Sequence, residues 1–356
     1  MPIDGACSSG ETVAIQPSVN GTPPGSSRPP GMKAEPDEKS AGAEAVDRHA
    51  GLESVMARSG GENFPVALRL LPRAVRDHLR AVYGYARLVD NLGDEYPGDR
   101  HAALDWVEDQ LDRLFAGTPR HEAFVQLAPT VQRFGLAREP FDQLLAANRL
   151  DQHKSRYEDF DELMGYCELS ANPVGHLVLA VFEASTPERV AASDDVCSGL
   201  QVLEHLQDIA EDAAAGRVYL PADDMEHFGV TADDLRAPEA AASLRGLVAY
   251  EAGRARAMLE RGRPLVASLR GSARLAVAGF VAGGLANLDA LGAAGFDVLG
   301  RTPKAGPARV LGRLAGVYVP RGRASRQANL VQTGEAVARA ARERSEQERE
   351  SHRRDV

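Results

Sequence analysis

Two segments of the chain share a spacing of polar residues that restricts both of them to helices. Each segment carries four polar or charged residues separated by 4, 3 and 4 positions. The first set is Tyr83, Arg87, Asp90 and Asp94, and the second is Gln201, His205, Asp208 and Asp212. Residues three and four apart lie on one face of an α-helix, whereas the side chains of a strand alternate between two faces. The spacing therefore predicts two helices, each with an acidic stripe.

The same helical periodicity recurs through the rest of the core, and no alternating strand pattern of useful length accompanies it. We therefore predict an all-α fold. The expected helices cover about 73–95, 99–116, 122–134, 139–153, 159–170, 172–183, 187–215, 231–237, 239–262 and 271–299. Prolines lie at or near most of the breaks between them, because proline lacks the backbone N–H and has a fixed φ.

Composition separates a globular core from two flanking segments. Residues 1–55 contain few large apolar side chains and several prolines, so burial cannot offset the entropy of ordering them. We predict a disordered leader there. From residue 319 to 356 the sequence becomes rich in Arg and Glu, which predicts a solvated helix or a mobile tail. A single helical domain is expected over residues 56–318.

Charge and cysteine content exclude several classes of protein. The formal charge of −10 and the pI near 5.5 argue against a nucleic-acid partner, since binding a phosphate backbone requires a basic face. The three cysteines are widely spaced and form no zinc-binding pattern, so we expect a reducing, cytoplasmic location. The N-terminus does not show the basic-then-apolar pattern of a secretion signal.

The longest apolar stretch covers residues 275–288, which is shorter than the ~20 residues that a membrane span needs. Gly279, Gly283 and Gly284 interrupt it. A spanning helix is therefore not expected, whereas peripheral contact with the inner face of a membrane remains open.

The acidic stripes indicate a metal site. Like charges four residues apart destabilise a helix, and burying them is costly unless a positive group lies nearby. A divalent cation between two facing helices would supply that charge, and Mg²⁺ so bound keeps positions for diphosphate oxygens. The candidate ligands are Asp90, Asp94, Asp208 and Asp212, with Glu204 extending the second acidic row. Arg87 and Arg217 are the nearest candidates for phosphate contacts. The alternative is that both stripes are solvated faces with ordinary surface acids.

A third segment, residues 166–175, combines Tyr166 with Pro173 and Gly175. Proline and glycine together can kink a helix and let another backbone approach closely. Tyr166 could then face a cavity and stabilise a carbocation or transfer a proton. The alternative is an ordinary core tyrosine.

Taken together, these motifs resemble the squalene and phytoene synthase family of head-to-head prenyl synthases over about residues 62–304. The resemblance is carried by Tyr83-x-x-x-Arg87-x-x-Asp90-x-x-x-Asp94, by Tyr166-Cys167 with Pro173-Val-Gly175, and by Gln201 through Asp212 leading into Gly216-Arg-Val-Tyr-Leu-Pro221. It implies the isoprenoid synthase fold, a single helical bundle around a central apolar cavity that buries prenyl chains. It also implies Mg²⁺ as the cofactor of the acidic residues.

The resemblance further implies roles for individual side chains. It assigns catalysis to Tyr83, Arg87, Tyr166 and Tyr219, and substrate binding to Asn63, Arg87, Gln201 and Arg217. Arg217 and Tyr219 would belong to a segment that closes over the cavity.

Within the family, residues 62–67 and 283–289 are most similar to the hydroxysqualene synthase branch of bacterial hopanoid biosynthesis. This branch ionises presqualene diphosphate, rearranges the cation and captures it with water, as a carbon-oxygen lyase that releases diphosphate. No NADPH is expected, which agrees with a sequence that shows no glycine-rich dinucleotide turn. The pathway implies a presqualene diphosphate synthase and a hydroxysqualene dehydrogenase as partner enzymes.

Two alternatives stay open at this point. A prenyltransferase of the same family would condense two farnesyl or two geranylgeranyl diphosphates towards squalene or phytoene. A non-catalytic protein would retain the fold and bind a prenyl diphosphate without converting it. Intact acidic motifs favour an enzyme over the second alternative.

Overall fold

The computed structural model describes residues 45–47, 49–51, 71–300 and 302–318. In these ranges the chain is helical, and the only β pairing is an isolated bridge between Arg156 and Val218. The helices are α1 Arg73–Asp94, α2 Arg100–Phe115, α3 Glu122–Phe134, α4 Glu139–Asp151, α5 Phe160–Ser170, α6 Asn172–Val181, α7 Pro187–Gln207, α8 Ile209–Ala214, α9 Ala222–Phe228, α10 Ala242–Gly262, α11 Pro264–Ser268, α12 Gly271–Ala293 and α13 Pro307–Tyr318, with a 3-10 turn over Asp234–Arg236. The predicted all-α fold is confirmed.

Most predicted helices agree with the structure to within a few residues, and the departures have local causes. The predicted helix 187–215 is interrupted at Asp208, whose φ of −107° and ψ of 11° are not helical. The predicted helix 271–299 ends earlier, because Gly295 and Phe296 take positive φ values of 64° and 60°. The structure adds α9, α11 and α13, and it reduces the predicted helix 231–237 to the 3-10 turn. Helices as short as α9 and α11 have too few residues to show a period.

The predictions for the two flanking segments fall largely outside the described residues. The tail over 319–356 lies outside them, as does Asn63, and so does the leader over 1–55 except for 45–47 and 49–51. That short described part is helical instead of disordered. Val46 and Ala50 are buried there against apolar residues of the core, which outweighs the polar composition around them.

The helices that carry the two polar sets are both core elements. Leu88, Val89 and Leu92 of α1 are fully buried, and α1 packs against α2, α3, α4 and α6. α7 makes its most extensive contact with α10, and α12 packs on both of these helices. Each group of helices has its own cluster of buried apolar side chains. The apolar faces of α1 and α7 are taken up by this packing. Charged residues on these two helices are therefore confined to the stripe that lies outside the apolar contacts.

α6 and α7 approach closely at Gly175. A Cβ atom added there would lie 2.4 Å from Ser193 Oγ and 2.7 Å from Cys197 Sγ. The close approach expected at this glycine is therefore present. The expected kink within a single helix is absent, because the chain forms two separate helices that meet at Ala171. Pro173 lies in the first turn of α6, where its missing N–H breaks no helical hydrogen bond.

α12 is longer than the apolar stretch that the sequence shows. Its 23 residues, Gly271–Ala293, are long and apolar enough to cross a membrane by length and composition. Within the bundle, 67% of its most apolar window is buried, and the helix packs against α10, α11 and α13. Core helices of globular proteins have the same properties, so we interpret α12 as part of the core.

Gly262→Ala should lower the free energy of unfolding by about 1–3 kcal/mol, because the added methyl group would overpack the α7–α10 contact. Its Cβ would lie 2.7 Å from the Ala192 carbonyl oxygen and 3.0 Å from the Val196 amide nitrogen, and backbone atoms cannot move aside easily. Gly253 is the matched control in the same helix, with open space around its Cβ position. Gly253→Ala should be neutral or stabilising by up to about 1 kcal/mol. Urea unfolding measures both effects, and equal midpoints would contradict the close packing.

Candidate active site

α1 presents its predicted polar stripe on one side. Tyr83, Arg87 and Asp90 are half-buried, and Asp94 in the last turn keeps 44% of its side chain exposed. Asn148 of α4 donates a hydrogen bond of 3.1 Å from Nδ2 to Asp90 Oδ1. The four residues of the first polar set share one face of α1 as predicted, and the last of them, Asp94, is the most exposed.

The second polar set spans the interruption at Asp208. Asp208 follows the end of α7 and Asp212 lies in α8, so the predicted single regular helix is wrong here. The helical hydrogen-bond pattern nevertheless continues, from Asp208 N to the Glu204 carbonyl oxygen at 3.0 Å and from Asp212 N to the Asp208 carbonyl oxygen at 2.8 Å. Asp208 and Asp212 therefore remain about one turn apart, both half-buried, while Glu204 is exposed.

Arg217 connects the two acidic segments. Its Nη1 donates a hydrogen bond of 2.7 Å to Asp94 Oδ1, and its Nε lies 3.8 Å from Asp212 Oδ1. The Asp212 side chain is only 14% exposed. Because α1 and α8 each contribute a carboxylate to the same guanidinium group, the predicted facing of the two acidic segments is present at this end of the site.

Burial is the main influence on the pKa values of the acidic residues in this region, and nearby cations do not fully offset it. Burial raises the pKa of Asp212 to about 7, despite the neighbouring Arg217. The carboxylates of Asp208 and Glu211 contribute to that rise. Burial and Glu211 also raise the pKa of Asp208, and Lys304 opposes the change. A further positive charge would stabilise the ionised form of these carboxylates.

Two loops pair beside the acidic residues and bring aromatic rings together. The Val218 amide donates a hydrogen bond of 2.8 Å to the Ser155 carbonyl oxygen, and the Ala222 amide donates one of 2.9 Å to the Tyr157 carbonyl oxygen. The loop after α4 and the loop after α8 are thereby held side by side. The rings of Tyr157 and Tyr219 stack as a result, with centroids 5.6 Å apart and planes 21° apart.

His205 and Tyr166 complete this group of rings. The His205 ring stacks on Tyr219 with centroids 3.8 Å apart, and Tyr166 lies 5.4 Å from Tyr219 and 5.9 Å from His205. Gln201 Nε2 lies 3.2 Å from His205 Nε2. Burial and the charge of Arg217 lower the pKa of His205 to about 3, so its imidazole is neutral. We call the four rings the tyrosine–histidine cluster: Tyr157, Tyr166, His205 and Tyr219.

Asp151, the last residue of α4, accepts hydrogen bonds from two members of the cluster. Tyr166 donates one of 2.7 Å to Oδ2, and Tyr219 donates one of 3.2 Å to Oδ1. Burial raises the pKa of Asp151 to about 6, although the two tyrosine hydrogen bonds oppose the rise. Asp151 therefore links the aromatic cluster to the acidic region while remaining mostly ionised at neutral pH.

Sequence reasoning missed Asn148, Asp151 and Tyr157. Asn148 and Asp151 are three residues apart on α4, and this shared helical face was the one signal available for them. Tyr157 lies in a loop, where periodicity carries no information. His205, a member of the second polar set, stacks on Tyr219 within the site.

The donor atoms of this region suit magnesium bound together with a diphosphate. Within residues 71–300 and 302–318, no three His, Cys, Asp or Glu side chains converge to hold a metal ion by themselves. Mg²⁺ is commonly bound by one or two carboxylates, with water and substrate phosphates in the other positions. All the predicted ligands offer carboxylate oxygens, and a bound cation would oppose the rise in the pKa of Asp212 that burial and, to a smaller extent, the neighbouring carboxylates cause. The residues therefore fit an open magnesium site better than a closed protein cage.

A helical bundle with two facing acidic segments is the arrangement expected of an isoprenoid synthase fold. The family model for squalene/phytoene synthase matches residues 57–309. The chain belongs to the squalene/phytoene synthase family, and the predicted isoprenoid synthase fold is confirmed by the solved structures that it resembles.

The chain is similar to relatives with several different names within this family. The chain is 36% identical to hydroxysqualene synthase of Rhodopseudomonas palustris over 211 residues, which is 59% of this chain and 72% of that protein. It is 33% identical to phytoene synthase of Arthrospira platensis, over 55% of this chain and 68% of that protein. The crystal structure of squalene synthase HpnC from Alicyclobacillus acidocaldarius is 41% identical, with a TM-score of 0.63 over 73% of this chain and 96% of that chain.

Asp212→Asn should stabilise the metal-free protein more at pH 8 than at pH 4. Burial raises the pKa of Asp212 from 3.8 to about 7 on folding, so between these values the folded state holds a proton that the unfolded state has lost. The stability contributed by this carboxyl group therefore falls as pH rises through that range. The difference in Tm between variant and wild type, measured with a chelator, should grow up to about pH 7 and then level off. Asp161→Asn, at an exposed position of α5, is the control. A difference that does not change with pH would contradict the raised pKa.

Proposed function

We propose that this protein is a hydroxysqualene synthase, which converts presqualene diphosphate and water to hydroxysqualene and diphosphate. Three relatives with 35–36% identity carry that name. The observation that carries the proposal is the position of the tyrosine–histidine cluster beside Arg217, which joins Asp94 and Asp212. One side of this site suits a diphosphate, and the other side suits a carbocation.

The proposed cofactor is Mg²⁺. Its proposed ligands are Asp90, Asp94, Asp208 and Asp212, with Glu204 as a further candidate. When bound, Mg²⁺ would offset the charge that develops on the diphosphate as the C–O bond breaks. Arg87 and Arg217 are the proposed phosphate ligands, since guanidinium groups bind phosphate oxygens in a bidentate manner. Arg217 already pairs with Asp94, so diphosphate would enter an existing network of ion pairs.

The tyrosine–histidine cluster is proposed to stabilise the carbocation. Aromatic faces attract cations, with an energy of about 0.5–2 kcal/mol for each close contact. Tyr166 and Tyr219 are 7% and 9% exposed, and their hydrogen bonds to Asp151 fix the direction of both rings. Tyr83 is proposed to line the cavity, and Gln201 is proposed to bind substrate from its place beside His205.

Condensation of two prenyl diphosphates is the second candidate activity. It is favoured by the similarity to the phytoene synthases of Zea mays and Arthrospira platensis, each of which is 33% identical to this chain. The enzyme would then be a prenyltransferase forming presqualene, squalene or phytoene precursors. A non-catalytic prenyl-diphosphate binding protein would need the same acidic segments but would not convert its ligand.

The proposed setting of the enzyme follows from its substrate. A substrate with a long apolar chain and a diphosphate head is amphipathic and favours a membrane surface, so we propose a cytoplasmic enzyme with peripheral contact to the inner face of a membrane. A presqualene diphosphate synthase would supply the substrate, and a hydroxysqualene dehydrogenase would use the product. We propose no NADPH requirement, because the capture of a carbocation by water involves no hydride transfer.

Purified protein given presqualene diphosphate and Mg²⁺ without NADPH should release hydroxysqualene and diphosphate in equal amounts. Chromatography with mass detection identifies the alcohol. Parallel incubations with farnesyl diphosphate and with geranylgeranyl diphosphate are the controls and should leave both compounds unchanged. Consumption of farnesyl diphosphate alone, with no conversion of presqualene diphosphate, would favour the condensing enzyme. Binding of presqualene diphosphate without any product would favour the non-catalytic protein.

Asp90→Asn and Asp208→Asn should each reduce diphosphate release about 100-fold or more, because each variant removes a carboxylate proposed to hold the Mg²⁺ that offsets the charge on the departing diphosphate. Asparagine retains an oxygen that can accept the Asn148 hydrogen bond, so Asp90→Asn tests charge more than shape. Asp77→Asn is the matched control, since Asp77 is an exposed acid on the same helix. Steady-state release of diphosphate provides the measurement. Equal rates in Asp90→Asn and Asp77→Asn would remove Asp90 from the proposed site.

A further inference from the structure

Water capture by a carbocation, the last step of the proposed function, releases a proton. The new C–O bond first gives a protonated alcohol, which must lose that proton before it becomes the neutral product. A base close to the carbocation accelerates such a step. The acids proposed to hold Mg²⁺ are committed to the diphosphate, so a protein base for this proton would have to lie elsewhere in the site.

Asp151 is an acid of the site that lies apart from the two acidic stripes. It ends α4, whereas the stripes belong to α1 and to the α7–α8 segment. Its carboxylate oxygens accept hydrogen bonds from Tyr166 and Tyr219, at 2.7 Å and 3.2 Å, which fix the group beside two rings of the cluster. Each carboxylate oxygen has a second lone pair, so Asp151 retains capacity for a water molecule.

The Tyr157 hydroxyl is an independent indication that a small polar molecule binds in the cluster. Tyr157 is 1% exposed, and its hydroxyl has no hydrogen-bond partner among the described residues. Nearly all buried polar groups have a partner, which is either protein or water. The Tyr157 ring lies 5.5 Å from the ring of Tyr166 and 5.6 Å from that of Tyr219, the two residues that hold Asp151. A water molecule in this cluster would satisfy the hydroxyl.

The other groups of the cluster are poorer proton acceptors than Asp151. Burial raises the pKa of the Tyr166 and Tyr219 hydroxyls, so both are protonated and serve as donors. Burial lowers the pKa of His205 to about 3, compared with about 6 for Asp151. That difference makes His205 a weaker base by roughly 1000-fold. Asp151, which two rings of the cluster hold by hydrogen bonds, is therefore a better proton acceptor than His205.

Resting on the proposed function, we propose that Asp151 accepts the proton from the water molecule that captures the carbocation. The C–O bond to diphosphate breaks, and its electron pair leaves with the diphosphate. A lone pair of the water oxygen forms the new C–O bond, and one proton of that water passes to a carboxylate oxygen of Asp151. Asp151 becomes a neutral carboxylic acid and then returns the proton to solvent. No oxidant or reductant takes part.

The yield of alcohol for each diphosphate released tests this role. Asp151→Asn keeps the size of the side chain and one of its two accepting oxygens but removes the base. With presqualene diphosphate and Mg²⁺, we expect diphosphate release to continue while hydroxysqualene per diphosphate falls by about tenfold or more. Hydrocarbons formed by loss of a proton from carbon should replace the alcohol. Asp161→Asn, at an exposed position of α5, should match the wild type in both measurements.

Tyr166→Phe separates the base from the residues that hold it. This variant removes one hydrogen bond to Asp151 but keeps the carboxylate. Turnover should therefore fall, whereas hydroxysqualene per diphosphate should stay near the wild-type value. A loss of alcohol yield equal to that of Asp151→Asn would assign the effect to the hydrogen-bonded pair and overturn a separate role for the carboxylate.

Two further outcomes would overturn the role of Asp151. An unchanged alcohol yield in Asp151→Asn would mean that diphosphate or solvent accepts the proton. Parallel loss of alcohol and diphosphate release in both Asp151→Asn and Asp151→Ser would place the residue in ionisation or folding instead. The proposed function fails in a distinguishable way, since the wild type would then form no hydroxysqualene from presqualene diphosphate, and this role would fail with it.

Discussion

The ion pairs of Arg217 are the interaction on which the rest of the site depends. The guanidinium group contacts Asp94 at the end of α1 and lies 3.8 Å from Asp212 in α8. Without a positive group between them, these partly buried carboxylates would repel each other. Arg217 also immediately precedes Val218, whose amide pairs with the loop after α4. A single loop therefore carries both the charge that joins the acidic segments and Tyr219, which stacks in the aromatic cluster.

The interruption at Asp208 lies between a helix that packs in the core, α7, and a short helix that leads to the candidate active site, α8. Before it, α7 is a core helix that packs closely on α10 at Gly262. After it, α8 is a single short helix that leads directly into the loop with Arg217. The hydrogen bonds from Asp208 and Asp212 continue the helical pattern, so the two carboxylates keep a spacing of one turn. Apolar packing and charge are thus placed on successive turns of the same segment.

Helical spacing predicted the parts of the site that lie on long helices, because residues three and four apart share a face in any α-helix. The polar stripe of α1, including Asp90 and Asp94, is the clearest example. Tyr157 could not be predicted in this way, since its position depends on two loops that are distant in sequence and pair at Val218. Asp151 lies on a helix, but its contact with Tyr219 depends on the same loop pairing. The interruption at Asp208 also has no sequence signal, because neither proline nor glycine lies there.

The central claim is that the two acidic segments form one binding site for magnesium and diphosphate. Calorimetric titration of inorganic diphosphate in the presence of Mg²⁺ tests it most directly, with wild type, Asp94→Asn, Asp212→Asn and the double variant. We predict that each single substitution weakens binding by about tenfold, and that the double variant loses much less than the sum of the two losses in binding free energy, because residues of one network are not additive. Unchanged binding in either single variant, or fully additive losses, would contradict a shared site.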